Sequence, residues 1–249
     1  MTRTIIKALN AAADLLLPRT CIVCGRGLLT EEKHLCLFCM ADLPLTRFWK
    51  QTHNLMADRF NSVIQEQLDK SDHPEKEQYA YGVALFFYNS SADYRKIPYR
   101  LKYHGARSVG RYFGKVLGRH LVSAEQFRDV DLVVPVPLHW TRRWKRGYNQ
   151  AEVIASAIAE ELHAEARPSV LRRVRRTRTQ TKLRVEEKAR NVHGAFEATS
   201  VQAGARHILL VDDVFTTGST LMACFVALRT VFPPDVRISV ATLGFVGEA

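Results

Sequence analysis

The chain has 249 residues, 47% hydrophobic and 24% charged, enough for one full core plus a small module. Its net charge of +11 and pI near 9.6 favour anionic partners, whether phosphorylated metabolites, nucleic acid or acidic lipid heads, without choosing among them. No apolar run approaches the roughly 18 to 20 residues of a bilayer span, and five cysteines, four of them in two close CxxC pairs, argue against a disulfide framework.

In chain order, Ile5, Leu9, Ala12 and Leu16 repeat at helical spacing. This helix is expected to dock on its own protein; a weak peripheral seat on a membrane surface is the second reading. Asp14 and the lack of a small-x-small pattern before the cysteines argue against a cleavable signal peptide. The expected compartment is the cytoplasm, with the inner face of the membrane as the variant of it that the second reading implies.

Cys21, Cys24, Cys36 and Cys39 follow as CxxC, eleven residues, CxxC. Each pair is a knuckle aiming two thiolates at one ion, and four thiolates complete the closed tetrahedral set of structural zinc. A redox dithiol and an iron-sulfur cluster are the other readings. Gly25 suits the tight turn after the first pair, while His34 is expected at the surface and not as a fifth ligand. The chain is expected to divide into an N-terminal helix and zinc ribbon (1–47), a linker with a possible helix in MADRFNSVIQEQL (48–80), and an α/β domain (81–249).

Past the linker, short apolar runs alternate with helical periods, which predicts a mainly parallel sheet. Strands are expected at 83–88, 131–136, 207–211 and 237–243. Helices are expected around Val109 to Leu117, Ala151 to Leu162 and Leu221 to Leu228, with Cys224 in the core.

The segment ILLVDDVFTTGST, 208–220, carries the clearest chemistry. Asp212 and Asp213 stand where its apolar strand is expected to end, and two carboxylates there can accept hydrogen bonds from neighbouring ribose hydroxyls. Thr216, Thr217, Gly218, Ser219 and Thr220 join a loop to a helix start, whose unpaired N–H groups and dipole favour an anion. Gly218 lets the backbone curl round a phosphate. Plain helix capping would need one such residue, not this whole succession.

Two basic stretches accompany it. In PLHWTRRWKRGYNQ, Arg142, Arg143, Lys145 and Arg146 crowd a loop expected to open a helix, read as a pyrophosphate site or as a solvated charge run. The second, RRVRRTRTQTKLRVEEKARNVHGAF, has seven arginines and reads as a hairpin flap that closes over a diphosphate. It could equally track a single-stranded phosphate backbone, although Phe196 is its only aromatic.

The 208–220 segment resembles the phosphoribosyl pyrophosphate (PRPP) signature of type I phosphoribosyltransferases. LKYHG (101–105), PVPLHWTRRWKRGYNQA (135–151), TRTQTKL and RNVHGAF further resemble motifs of the ComF family of competence-associated, phosphoribosyltransferase-like proteins with an N-terminal zinc ribbon. The resemblance implies a type I phosphoribosyltransferase-like fold and a PRPP site, with magnesium accompanying PRPP and zinc in the ribbon. It assigns the ribose hydroxyls to Asp212 and Asp213 and the 5′-phosphate to Thr216 through Thr220. It also implies that Lys102, Arg142, Arg146, Gly147, Asn149, Gln150, Thr177, Gln180, Arg190 and Asn191 line or shape the site. Many ComF-like proteins carry a second set of cysteine pairs, absent here, so one metal site is expected. Two functions stay open: transfer of phosphoribosyl to an acceptor the sequence does not name, or handling of single-stranded DNA alongside other DNA-uptake proteins with PRPP as a regulatory ligand. A purely structural role leaves the Asp212 and Asp213 pair unexplained.

Overall fold

The computed structural model describes residues 18–69, 77–103, 106–174, 194–199 and 204–247. The N-terminal helix expected before Pro18 lies outside them. In chain order the elements are α1 (Leu37–Ala41), α2 (Leu55–Leu68), β1 (Gly82–Phe87), α3 (Lys96–Tyr103), α4 (Arg107–Val122), β2 (Leu132–Pro135), α5 (Trp140–Arg146) and α6 (Gln150–Leu162). They continue with β3 (Glu165–Ala166), β4 (Leu171–Arg173), β5 (Phe196–Ala198), β6 (His207–Phe215), α7 (Ser219–Arg229) and β7 (Arg237–Phe245).

Five strands form one sheet in the order β1-β7-β6-β2-β3, every neighbouring pair parallel. This is the α/β class that the alternating pattern predicts. Ile208, Leu209, Leu210 and Val211 are all fully buried, as expected of a central parallel strand covered on both faces. On one side α4 and α6 approach closely, because Gly114 presents no side chain where a Cβ would stand 2.9 Å from the Ile154 carbonyl oxygen. The small β4–β5 pair is antiparallel and separate from the main sheet.

The segment after the cysteines is tied to the sheet. Thr46 donates its hydroxyl to the Ala84 carbonyl, and the Phe87 N–H donates 2.8 Å to Pro44. Helix α2 forms where MADRFNSVIQEQL allows one. The Asn54 side chain caps it, accepting from the N–H groups of Met56 and Ala57, and also donates 3.0 Å to the Gly82 carbonyl at the start of β1. Met56, Ala57, Phe60 and Ile64 are then buried against the sheet.

Three features depart from the sequence expectations. Strand β6 continues past Val211 through both aspartates to Phe215, because its ladder with β7 pairs Asp212 with Thr242 and Phe215 with Phe245. Helix α3 stands where the sequence pattern predicts no element. The Arg142–Arg146 stretch is a helix and not a loop: His139 caps α5 by accepting from the Thr141 N–H, and Gly147 ends it at φ 75°.

Candidate functional site

The site is assembled at the carboxyl ends of β6 and β2. Adjacent strand residues face opposite sides of a sheet, and the two aspartates accordingly have different surroundings. Asp213 pairs with Lys102 from α3, Oδ2 to Nζ at 2.9 Å. Asp212 lies within electrostatic reach of Arg173 and Cys224, and its Oδ1 accepts the Asp213 N–H at 2.8 Å. Burial, then the neighbouring Asp213 charge, pushes the Asp212 carboxyl up to about 7, against the pull of Lys102 and Arg173. Burial works against the Lys102 ammonium, but Asp213 outweighs it and holds Lys102 above its ordinary range.

Beyond Phe215 the chain turns through Thr216–Gly218 into α7. Gly218 has φ 76°, and a Cβ there would sit 2.9 Å from the Phe215 ring, so the turn requires glycine. The Thr217 and Ser219 hydroxyls are 2.8 Å apart, and the Ser219 N–H points to Thr217 Oγ1 at 3.4 Å. Thr217, Ser219 and Thr220 are half-buried and Thr216 is exposed. Hydroxyls and the first N–H groups of α7 thus converge where the helix dipole is positive.

Helix α5 and the start of α6 form the neighbouring wall. Arg142 interacts electrostatically with Arg173, whose guanidinium burial holds below its ordinary range and which lies over the Phe196 ring at 5.1 Å. Arg146 donates 3.0 Å to Gln150 Oε1. Asn149 is buried and spent on the fold: it caps α6 through the Ala151 N–H and donates 2.9 Å to the Val136 carbonyl. Gln150 donates 3.2 Å to the Leu101 carbonyl, which also accepts the Tyr148 hydroxyl at 2.6 Å. Two donors therefore fix the residue preceding Lys102.

The structure brings together Lys102, Arg142, Arg146, Gly147, Asn149, Gln150, Asp212, Asp213 and the Thr216–Thr220 turn. Thr177, Gln180, Arg190 and Asn191 lie outside the described residues; the strands on either side of that stretch, β4 and β5, pair antiparallel. Nothing in the sequence marks Tyr148 and Arg173 as individual site residues. Tyr148 sat inside the GYNQ motif, and Arg173 was one arginine among seven.

The four cysteines meet at a second place. Their Sγ atoms lie within 4.8 Å of one another, with Cys24 and Cys36 at 3.7 Å. A Zn–S bond of about 2.3 Å sets tetrahedral sulfurs about 3.8 Å apart, so the set fits a four-thiolate ion such as zinc. The spacing is far beyond a disulfide bond. The knuckle turns are backbone-fixed: the Gly25 N–H donates to Cys21 at φ 76°, and the Met40 N–H donates to Cys36. His34 is not in the cluster; it is half-buried, packed edge-on to Tyr112 with ring centres 5.4 Å apart, so it seats the module on α4 instead of lying free at the surface.

A Ser-His-Asp chain occurs at the opposite, amino end of the strands. His207 is 2.7 Å from Asp129 and 2.8 Å from Ser239 Oγ. Ser239 is fully buried and its oxygen accepts the Tyr81 N–H at 3.1 Å, so no substrate carbonyl can reach it and the chain is a structural network.

No family model matches the chain. It is 29% identical over 144 residues to "Competence protein F" of Haemophilus influenzae, covering 56% of this chain and 63% of the relative. It is 31% identical over 126 residues to "DNA utilization protein YhgH" of Escherichia coli K12, covering 49% of this chain and 55% of the relative. The chain thus spans little more than half the length of these curated relatives. Among the described residues no helix is long and apolar enough to cross a membrane.

Proposed function

We propose that this chain, whose relatives support its assignment to the ComF family, binds PRPP at the carboxyl end of β6 and transfers its phosphoribosyl group to an acceptor in a pathway of DNA uptake and use. One observation carries the reading. A buried strand delivers two carboxylates, one paired to Lys102, directly into a Gly218 turn of hydroxyls at the start of α7. A sugar bearing adjacent hydroxyls and a phosphate a few ångströms away matches that order of acceptors and donors. Asp212 and Asp213 would hold the ribose hydroxyls, Thr216 to Thr220 the 5′-phosphate, and Arg142 and Arg146 the diphosphate, which enters as its magnesium complex. Fixed cations stabilise charge developing on the departing pyrophosphate and require no covalent protein nucleophile. The cysteine set fits a structural zinc, which holds its module folded and takes no part in the chemistry.

The test incubates the protein with PRPP, magnesium and a panel of bases and amines and measures pyrophosphate release, with an Asp212→Asn plus Asp213→Asn protein as control. Acceptor-dependent release lost in the control supports transfer. PRPP binding without turnover in any arm moves the reading to a regulatory ligand, and failure of PRPP to bind ends it. That second reading is a single-stranded DNA-handling protein that senses PRPP; the words DNA utilization in one relative's name accord with it, and salt-sensitive DNA binding would support it.

A further inference from the structure

The site uses only one side of α5. At 3.6 residues per turn, Trp140 and Trp144 lie about 40° apart and roughly 160–200° round the helix from Arg142. Arg142 and Arg146 are half-buried toward the site, whereas Trp140 is 71% and Trp144 84% exposed. They are two of the three tryptophans in the chain. The third, Trp49, is buried and stacked on His120 at 4.0 Å. WTRRWKR contains no aliphatic residue, so the rings do not belong to an apolar stripe that a neighbouring helix would cover. Cations border them. Arg143, exposed and paired with Glu152 at 2.9 Å, lies on the same flank. Arg107 reaches the end of α5, donating 3.1 Å to the Gly147 carbonyl, with its guanidinium over the Tyr148 ring.

We propose that Trp140 and Trp144 form a stacking platform for the bases of single-stranded nucleic acid, with Arg143 and Arg107 meeting its phosphates, on the face of α5 turned away from the ribose-phosphate pocket. Side chains four apart on a helix stand about 5–6 Å from one another, so each ring takes a base of its own. Base-on-aromatic stacking beside a cationic track is how single strands are held without sequence preference, and it needs rings with a free face. Anionic lipid is the poorer match, because a membrane-surface helix needs a broad apolar face and α5 supplies two rings on a seven-residue helix. Arg143 beside them and Arg107 at the end of α5 complement a polyanion. The platform stands independently of PRPP binding.

The test titrates the full chain with a short oligo(dT), following tryptophan emission and anisotropy, beside an abasic oligonucleotide of equal length, anionic phosphatidylserine vesicles, and PRPP. Wild type should bind oligo(dT) with quenching. Trp140→Ala plus Trp144→Ala should lose the quenching and at least about tenfold in affinity, since each stack is worth that order. Phe at both positions should restore most of the affinity. The abasic strand should bind wild type and the alanine protein alike, and PRPP affinity should be the same in all three proteins. Oligo(dT) affinity in the alanine protein within about twofold of wild type overturns the platform. So does selective loss of vesicle binding, which would make the rings a membrane contact. PRPP failing to bind a wild type that still holds oligo(dT) strikes the pocket reading alone.

Discussion

Replacing Asp212 by Asn removes a carboxyl that keeps its proton up to about 7, where an aspartate of the unfolded chain releases it near 3.8. Between those values the folded protein binds a proton that the unfolded chain has already lost. Stability must therefore fall as pH rises through that window, and the loss is complete above it. At about 1.36 kcal/mol per pH unit, the window amounts to roughly 4 kcal/mol, with the pull of Lys102 already contained in it. Asn keeps the shape, stays neutral and still offers an oxygen to the Asp213 N–H, which now donates at 2.8 Å. The variant should match wild type only below about pH 4, pull ahead as pH rises through the window, and exceed it by on the order of 2 to 4 kcal/mol near pH 8. Urea unfolding of both proteins across that range, without PRPP, gives the difference directly; groups common to both, such as the buried His207, cancel. A difference that stays flat with pH, or a variant less stable than wild type at high pH, would refute the claim that ionising Asp212 strains the fold. The same variant should lose PRPP binding, as expected where a carboxylate is kept for a ligand at a cost to stability.

Three further outcomes follow from the geometry. Gly218→Ala should lower stability by about 1–2 kcal/mol, the cost of a Cβ at φ 76°, and disturb the anion turn, seen as a lower Tm together with weaker PRPP binding in titration calorimetry. Tyr148→Phe should cost about 1 kcal/mol in urea unfolding, because the buried Leu101 carbonyl loses one of its two donors, and should weaken PRPP binding by loosening Lys102. Metal analysis should find one zinc per chain, and Cys36→Ser, which removes a thiolate while its hydroxyl can still cap α1, should reduce that content and the Tm together. Two ions per chain, or none, would count against the single four-cysteine site.

The parts of the fold that announce themselves are those where one local pattern suffices. Apolar runs at 132–135 and 208–211 are strands because nothing but a buried sheet accommodates them, and the paired CxxC spacing dictates one cluster. The apolar run alone ends β6 too early, because two aspartates break it, while the strand is held there by its ladder with β7. Helix α5 has no apolar period to reveal it; a His139 cap and a Gly147 stop define it instead. In α3, Pro98 and the charges obscure a helix that buries Ile97, Pro98 and Leu101. The two- and three-residue strands β3, β4 and β5 are too short to leave a periodic signal.

The RGYNQ segment shows how a motif can be recognised while the work of its residues stays hidden. Read as a binding loop, it offers Arg146, Asn149 and Gln150 to a ligand. In the folded chain Asn149 ties β2 to α6, Tyr148 and Gln150 both grip the Leu101 carbonyl, and Arg146 leans on Gln150. The segment acts chiefly as a brace that carries α3 inward until Lys102 reaches Asp213. Changes within the brace should therefore move fold stability and PRPP affinity in the same direction, because both depend on the seating of α3. Changes at Asp212 should move them in opposite directions, because there the ligand's requirement and the fold's conflict. That opposition separates a group that meets the ligand from one that only positions its neighbour.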